Sequence, residues 1–84
     1  MNRLLLTVSE PVPQGALSIR VWGATDWHPG SSSVAVMTKQ YRHPESGTLR
    51  ETHELTADDL LALPTLARKA HKAMIALQGK EGEQ

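Results

Sequence analysis

The sequence predicts an α+β domain in which an antiparallel sheet of three to four strands is followed by one C-terminal helical segment, with residues 1–78 in the domain and 79–84 in a disordered polar tail. Three observations carry this. Apolar residues alternate with polar ones between Ala16 and Gly23 and again between Val34 and Arg42, the period of half-buried strands. A Pro- and Gly-containing break at His43–Gly47 separates the second of these runs from a further β-like run. The stretch Leu55–Asp59 then combines a capping residue with two acids ahead of apolar positions at three- and four-residue spacing.

In chain order, Arg3–Val8 is a Leu-rich run read as a strand, with a short helix as the alternative, ended by Pro11 and Pro13, which donate no ladder hydrogen bond. In Ala16–Gly23, Leu17, Ile19 and Val21 take one face and Ser18, Arg20 and Trp22 the other. Ala24–Ser33, with Asp26, Pro29, Gly30 and three serines, has turn chemistry and is expected to be a mobile loop. Val34–Arg42 sets Val34, Val36 and Thr38 against Ala35, Met37, Lys39 and Tyr41. A loop of about five residues then returns the chain as a partner strand over Thr48–Leu55, completing a hairpin.

Thr56 is the expected helix N-cap, with Asp58 and Asp59 at the positive end of the helix dipole. Pro64 disfavours the α region for Leu63, so the helix should kink or restart there. Beyond it Leu66, Ala67, Ala70, Ala73, Met74 and Leu77 form the apolar stripe, Arg68, Lys69 and Lys72 lie outside it, and Gly79 is the expected end.

Eighty-four residues hold one small core, so stability gained from a second subunit is expected, and the alanine-rich helix would allow close approach in a homodimer. The absence of cysteine excludes disulfides, thiolate metal sites and a cysteine nucleophile. The apolar run Leu4–Val8 is shorter than a signal-peptide core and nothing approaches a membrane span, which gives the expectation of a cytoplasmic protein without membrane partners. Nine basic and nine acidic residues balance overall, but unevenly. Through Arg50, five basic residues face three acidic; beyond it, four face six. An anionic ligand should therefore prefer the β part.

Catalytic and metal chemistry find little footing. His28, His43, His53 and His71 form no ligand spacing, so no metal or cofactor is expected. Asp26, His28 and Ser31–Ser33 supply the residue types of a hydrolytic triad, but crowded into one loop with no nucleophile elbow. Asp58 and Asp59 are neighbours and point to different sides of a helix. The protein is expected not to be an enzyme.

The aromatic residues are more informative. Trp22, Trp27 and Tyr41 all lie between residues 22 and 41, each within two positions of a basic residue or histidine. A sheet surface carrying Arg20, Trp22, Lys39 and Tyr41, flanked by Arg42 and Arg50, offers rings for stacking bases and cations for phosphates, as single-stranded nucleic acid requires. Trp22 has an alternative role as a large core or dimer-interface residue, because one strand face must be buried.

The order of elements, with Leu55-Thr56-Ala57-Asp58-Asp59-Leu60 as a hairpin strand running straight into a helix start, resembles the single-stranded DNA-binding transcriptional coactivator (positive cofactor four) family over Leu17–Leu77. That resemblance implies a curved four-stranded antiparallel sheet backed by one helix, pairing of two subunits, and binding of single strands by the sheets. The leading expectation is a non-enzymatic single-stranded nucleic-acid-binding protein, such as a transcription or replication accessory factor, acting as a homodimer. The alternative is a protein-interaction or regulatory adaptor of phage or mobile-element type that binds no nucleic acid and docks a partner on a sheet edge or helix.

Overall fold

A computed structural model of the protein describes residues 3–23 and 33–82, with side chains through residue 77. It is an α+β arrangement of β1 (Leu4–Val12), β2 (Gly15–Gly23), β3 (Ser33–Arg42), β4 (Leu49–Thr52) and α1 (Ala57–Gly82). The four strands form one antiparallel meander in the order β1-β2-β3-β4. The loop expected to be mobile lies, up to Ser32, outside the described residues, and so does the end of the polar tail.

Register fixes the faces. Leu17 stands opposite Lys39, Ile19 opposite Met37 and Val21 opposite Ala35. On the other side of β2, Leu6, Val8 and Glu10 stand opposite Val21, Ile19 and Leu17. These residues therefore share one face, and α1 packs on it over β1 and β2. The reason is compositional: β1 and β2 offer Leu6, Val8, Leu17, Ile19 and Val21 there, whereas β3 and β4 offer Ala35, Met37, Lys39, Tyr41, Arg50 and Thr52. Among the described residues, Leu17, Val21, Leu66 and Ala70 are the buried apolar core. Each of the three larger side chains contributes about 1.5–3 kcal/mol by leaving water.

Several boundaries differ from the sequence expectation, each for a local reason. β1 runs through Pro11 because it is an edge strand, where a missing N–H can face solvent. Val12 and Gly15 then close a tight hairpin around Pro13–Gln14. β4 is four residues long and stops at Thr52, where Glu54 N–H turns back to Thr52 Oγ1 and His53 leaves the strand line. The intervening turn places Gly47 at φ +72°, a left-handed conformation suited to glycine, with its N–H bonded to His43 O at 2.8 Å.

The helix is continuous through Pro64. Proline removes the bond that Leu60 C=O would accept, and both residues are exposed, so water can satisfy that carbonyl. Gly79 does not end the helix either; glycine costs about 1 kcal/mol relative to alanine in a helix but does not forbid it. Thr56 caps the N-terminus as expected. Its Oγ1 accepts from Asp59 N–H at 3.2 Å while Asp59 Oδ2 accepts from Thr56 N–H at 2.8 Å, a reciprocal capping box.

Candidate nucleic-acid interface

Strand alternation and register together decide where the six expected contact residues go. Arg20 and Trp22 lie on the open face of the sheet, opposite the helix, with Val36 and Val34 as their β3 partners. Lys39 and Tyr41 lie on the helix face. The surface expected to combine Arg20, Trp22, Lys39 and Tyr41 is thus divided between two sides of the sheet. This corrects the sequence reading. The physical reason is the pairing of Ile19 with Met37, which joins the odd-numbered residues of both strands on one side.

Two of the expected cations are also committed to carboxylates. Lys39 Nζ meets Asp59 Oδ2 at 2.7 Å, with side-chain exposures of 7% and 2%, so this ion pair sits beneath the start of α1 and away from any ligand. The hydrogen bond from Lys39, followed by that from Thr56 N–H, holds the Asp59 carboxyl below its ordinary value. Arg20 reaches across β3 to Glu51 on β4 and donates to both carboxylate oxygens. Gln40 Nε2 adds a bond to Glu51 at 3.3 Å. Hydrogen bonding to Arg20 and then Gln40 lowers the Glu51 pKa, and Glu51 raises that of Arg20. A carboxylate on the open face at the β4 edge, held by Arg20, opposes a phosphate at that position.

Of the remaining four residues, Tyr41, Arg42 and Arg50 lie at one end of the sheet, on its two sides. Tyr41, half-buried, pairs across strands with exposed Arg50 on the helix side. Arg42, exposed, lies beside them on the open side and donates to Gly47 O. A hollow of about 360 Å³ opens here, lined by Gln14, Gly15, Ala16, Gln40, Tyr41, Arg42 and Leu49. Backbone crowding shapes its floor: a Cβ on Gly15 would stand 1.9 Å from Gln40 O. Trp22 remains half-buried on the open face beside Leu4 and Val34, at the opposite end from this corner.

Exposed apolar groups are the feature that sequence reasoning missed. Leu4, Val36, Leu49, Leu60, Leu61 and Ile75 are 42–80% exposed, Leu61 the most. The signal was present for the helix, since Leu61 and Ile75 fall outside the stripe that runs Leu66, Ala70, Ala73, Leu77. Arg68 and Lys72 are likewise exposed on α1. Among the described residues no group of three or more His, Cys, Asp or Glu could hold a metal ion, and no helix is long and apolar enough to cross a membrane. Comparison with protein-family models, with curated protein sequences and with solved structures finds no match to this chain.

Proposed function

We propose that the chain is a non-enzymatic protein-interaction module that acts as a homodimer. One observation carries the reading: among the described residues six large apolar side chains are 42–80% exposed, against four apolar residues buried. A domain this small gains little from its own core, and covering apolar surface with a partner supplies the rest. A standard interface takes about 800 Å² from each partner, roughly an eighth of the 6063 Å² this chain presents. Sedimentation equilibrium at micromolar concentration should report twice the 9.2 kDa chain mass; a 9.2 kDa species alone would remove the reading.

Single-stranded nucleic-acid binding is the second reading, supported by Tyr41 and Arg42 at the hollow, by Arg50 beside Tyr41 on the helix side, and by the resemblance over Leu17–Leu77. Here the ring of Tyr41 takes a base and the two guanidinium groups take phosphates. Labelled single-stranded DNA titrated at two salt concentrations tests it. Tyr41→Ala should cost about 1–3 kcal/mol of binding, and Arg42→Ala or Arg50→Ala should each reduce the salt slope by roughly one phosphate equivalent. Lys39→Ala should unsettle the fold instead, because Lys39 is paired with Asp59. Failure of the wild-type protein to retain DNA at low salt would end this reading and leave the first intact.

A further inference from the structure

The exposed apolar side chains among the described residues fall into two groups. Leu4, Val36 and Leu49 lie on the open face of the sheet, whereas Leu60, Leu61 and Ile75 lie on α1, where Leu61 is 80% exposed and Ile75 50%. Leu61, Thr65, Arg68, Lys72 and Ile75 are spaced four, three, four and three residues apart, so they form one row along the helix. All five are exposed, and Leu66 and Ala70 are buried on the opposite side of α1. From Leu61 to Ile75 the row is about 21 Å long, given the rise of an α-helix.

Its charge has one sign. From Leu60 to Leu77 the helix carries Arg68, Lys69, His71 and Lys72 and no acidic residue. Lys69 is held by Glu10 at 2.7 Å, but among the described residues neither Arg68 nor Lys72 meets a carboxylate. A hollow of about 400 Å³, lined by Thr65, Arg68, Lys69, His71 and Lys72, opens along the middle of the row. Cations in the middle and apolar groups at both ends decide what fits. A second copy laid parallel sets Arg68 on Arg68 and Lys72 on Lys72; laid antiparallel, with Leu61 against Ile75, it again sets Arg68 on Arg68, and like charges in contact oppose association. A membrane surface calls for the reverse order, an apolar middle with cations reaching out at its flanks. Single-stranded nucleic acid finds no aromatic ring on α1 for its bases. The alternating four and three spacing is the seam along which another helix packs.

Resting on the protein-interaction reading above, but not on its homodimer, we infer that the outer row of α1 docks an acidic amphipathic helix of another protein. The contact face of that helix is apolar at its two ends and carries glutamate or aspartate between them. Its apolar residues cover Leu61 and Ile75, and its carboxylates enter the hollow beside Arg68 and Lys72, where charge-assisted hydrogen bonds hold them. The homodimer then draws on Leu4, Val36 and Leu49. Both contacts form at once, because α1 packs on the face of the sheet opposite those three residues.

A labelled synthetic helix of about 18 residues, with leucines at both ends of one face and glutamates between them, tests the docking. Its control carries glutamine in place of each glutamate. The acidic peptide should bind at low salt and weaken as salt is raised, and the control should bind about tenfold more weakly or worse. Arg68 and Lys72 are exposed, so the double variant Arg68→Glu with Lys72→Glu should keep its circular dichroism and its sedimenting mass while losing about tenfold or more of the affinity for the acidic peptide. Equal binding of the two peptides, or binding of neither at low salt, overturns the inference. So does retention of phosphatidylserine vesicles or single-stranded DNA through Arg68 and Lys72 when the peptide is not retained. Loss of the dimer in Leu61→Ser would give the row to a second copy and overturn it as well. A dimeric wild type that ignores the acidic peptide removes this inference and leaves the homodimer standing; a monomeric wild type that binds the peptide over its control removes the homodimer and supports the docking of an acidic helix.

Discussion

Asp59 shows how much one side chain can hold. It closes the capping box with Thr56, lies under the first turn of α1 at 1% exposure, and neutralises Lys39 from a strand 20 positions earlier. Asp59→Ala loses the cap and the ion pair together and leaves the Lys39 ammonium buried without a partner. Asp59→Asn keeps an acceptor for Thr56 N–H and loses only the charge. The thermal midpoint at pH 7 should therefore fall in both variants and fall further in the alanine variant; equal midpoints would show that the cap contributes nothing. The pH dependence has a definite sign. Asp59 and Glu51 both titrate below their ordinary values of 3.8 and 4.5, so each contributes stability above those values that is lost as pH falls through the lowered folded pKa. Urea midpoints should be flat between pH 7 and 5 and decline below about pH 4, and the decline should shrink in Asp59→Asn. Asp59 as a helix-start acid was legible in the sequence, because that role is local. Its bond to Lys39 was not, because it depends on which strand face the helix start meets.

The same distinction governs the elements. Alternation within β2 and within β3 separated two faces of each strand correctly, and the capping residues fixed the start of α1 within one residue. What a single strand's pattern does not contain is which of its faces joins which face of its neighbour, since a slip of one residue exchanges them. That is why Arg20 and Trp22 parted from Lys39 and Tyr41, and why a site assembled from two strands was less legible than the strands themselves. Strand ends were also harder to read, because Pro11 is compatible with an edge strand and only the topology makes β1 an edge. The β1–β2 hairpin offers a test of how tightly the register is held. Gly15 passes so close to β3 that an added Cβ would fall 1.9 Å from Gln40 O, a backbone atom that cannot swing aside. Gly15→Ala should cost about 1–3 kcal/mol, as overpacking does, measured by urea denaturation. An unchanged midpoint with an unchanged slope would mean that the hairpin slides freely past β3, and the register argument for the divided face would lose its footing.

At the level of the whole molecule, the imbalance among the described residues between four buried apolar side chains and a larger set of exposed ones turns into a statement about concentration. A self-sufficient monomer unfolds at a temperature independent of how much protein is present. A chain whose folded state is completed by a second copy does not, because association draws the equilibrium toward the folded dimer by mass action. Each tenfold rise in protein concentration well above the dissociation constant is worth about 1.4 kcal/mol per dimer. For two chains of 84 residues unfolding together, a hundredfold rise should lift the thermal midpoint by about 5 °C or more. A midpoint that stays constant across a hundredfold range for the wild-type chain would show that Leu17, Val21, Leu66 and Ala70 suffice to hold the fold, and that the exposed leucines and isoleucine serve no partner of the same kind.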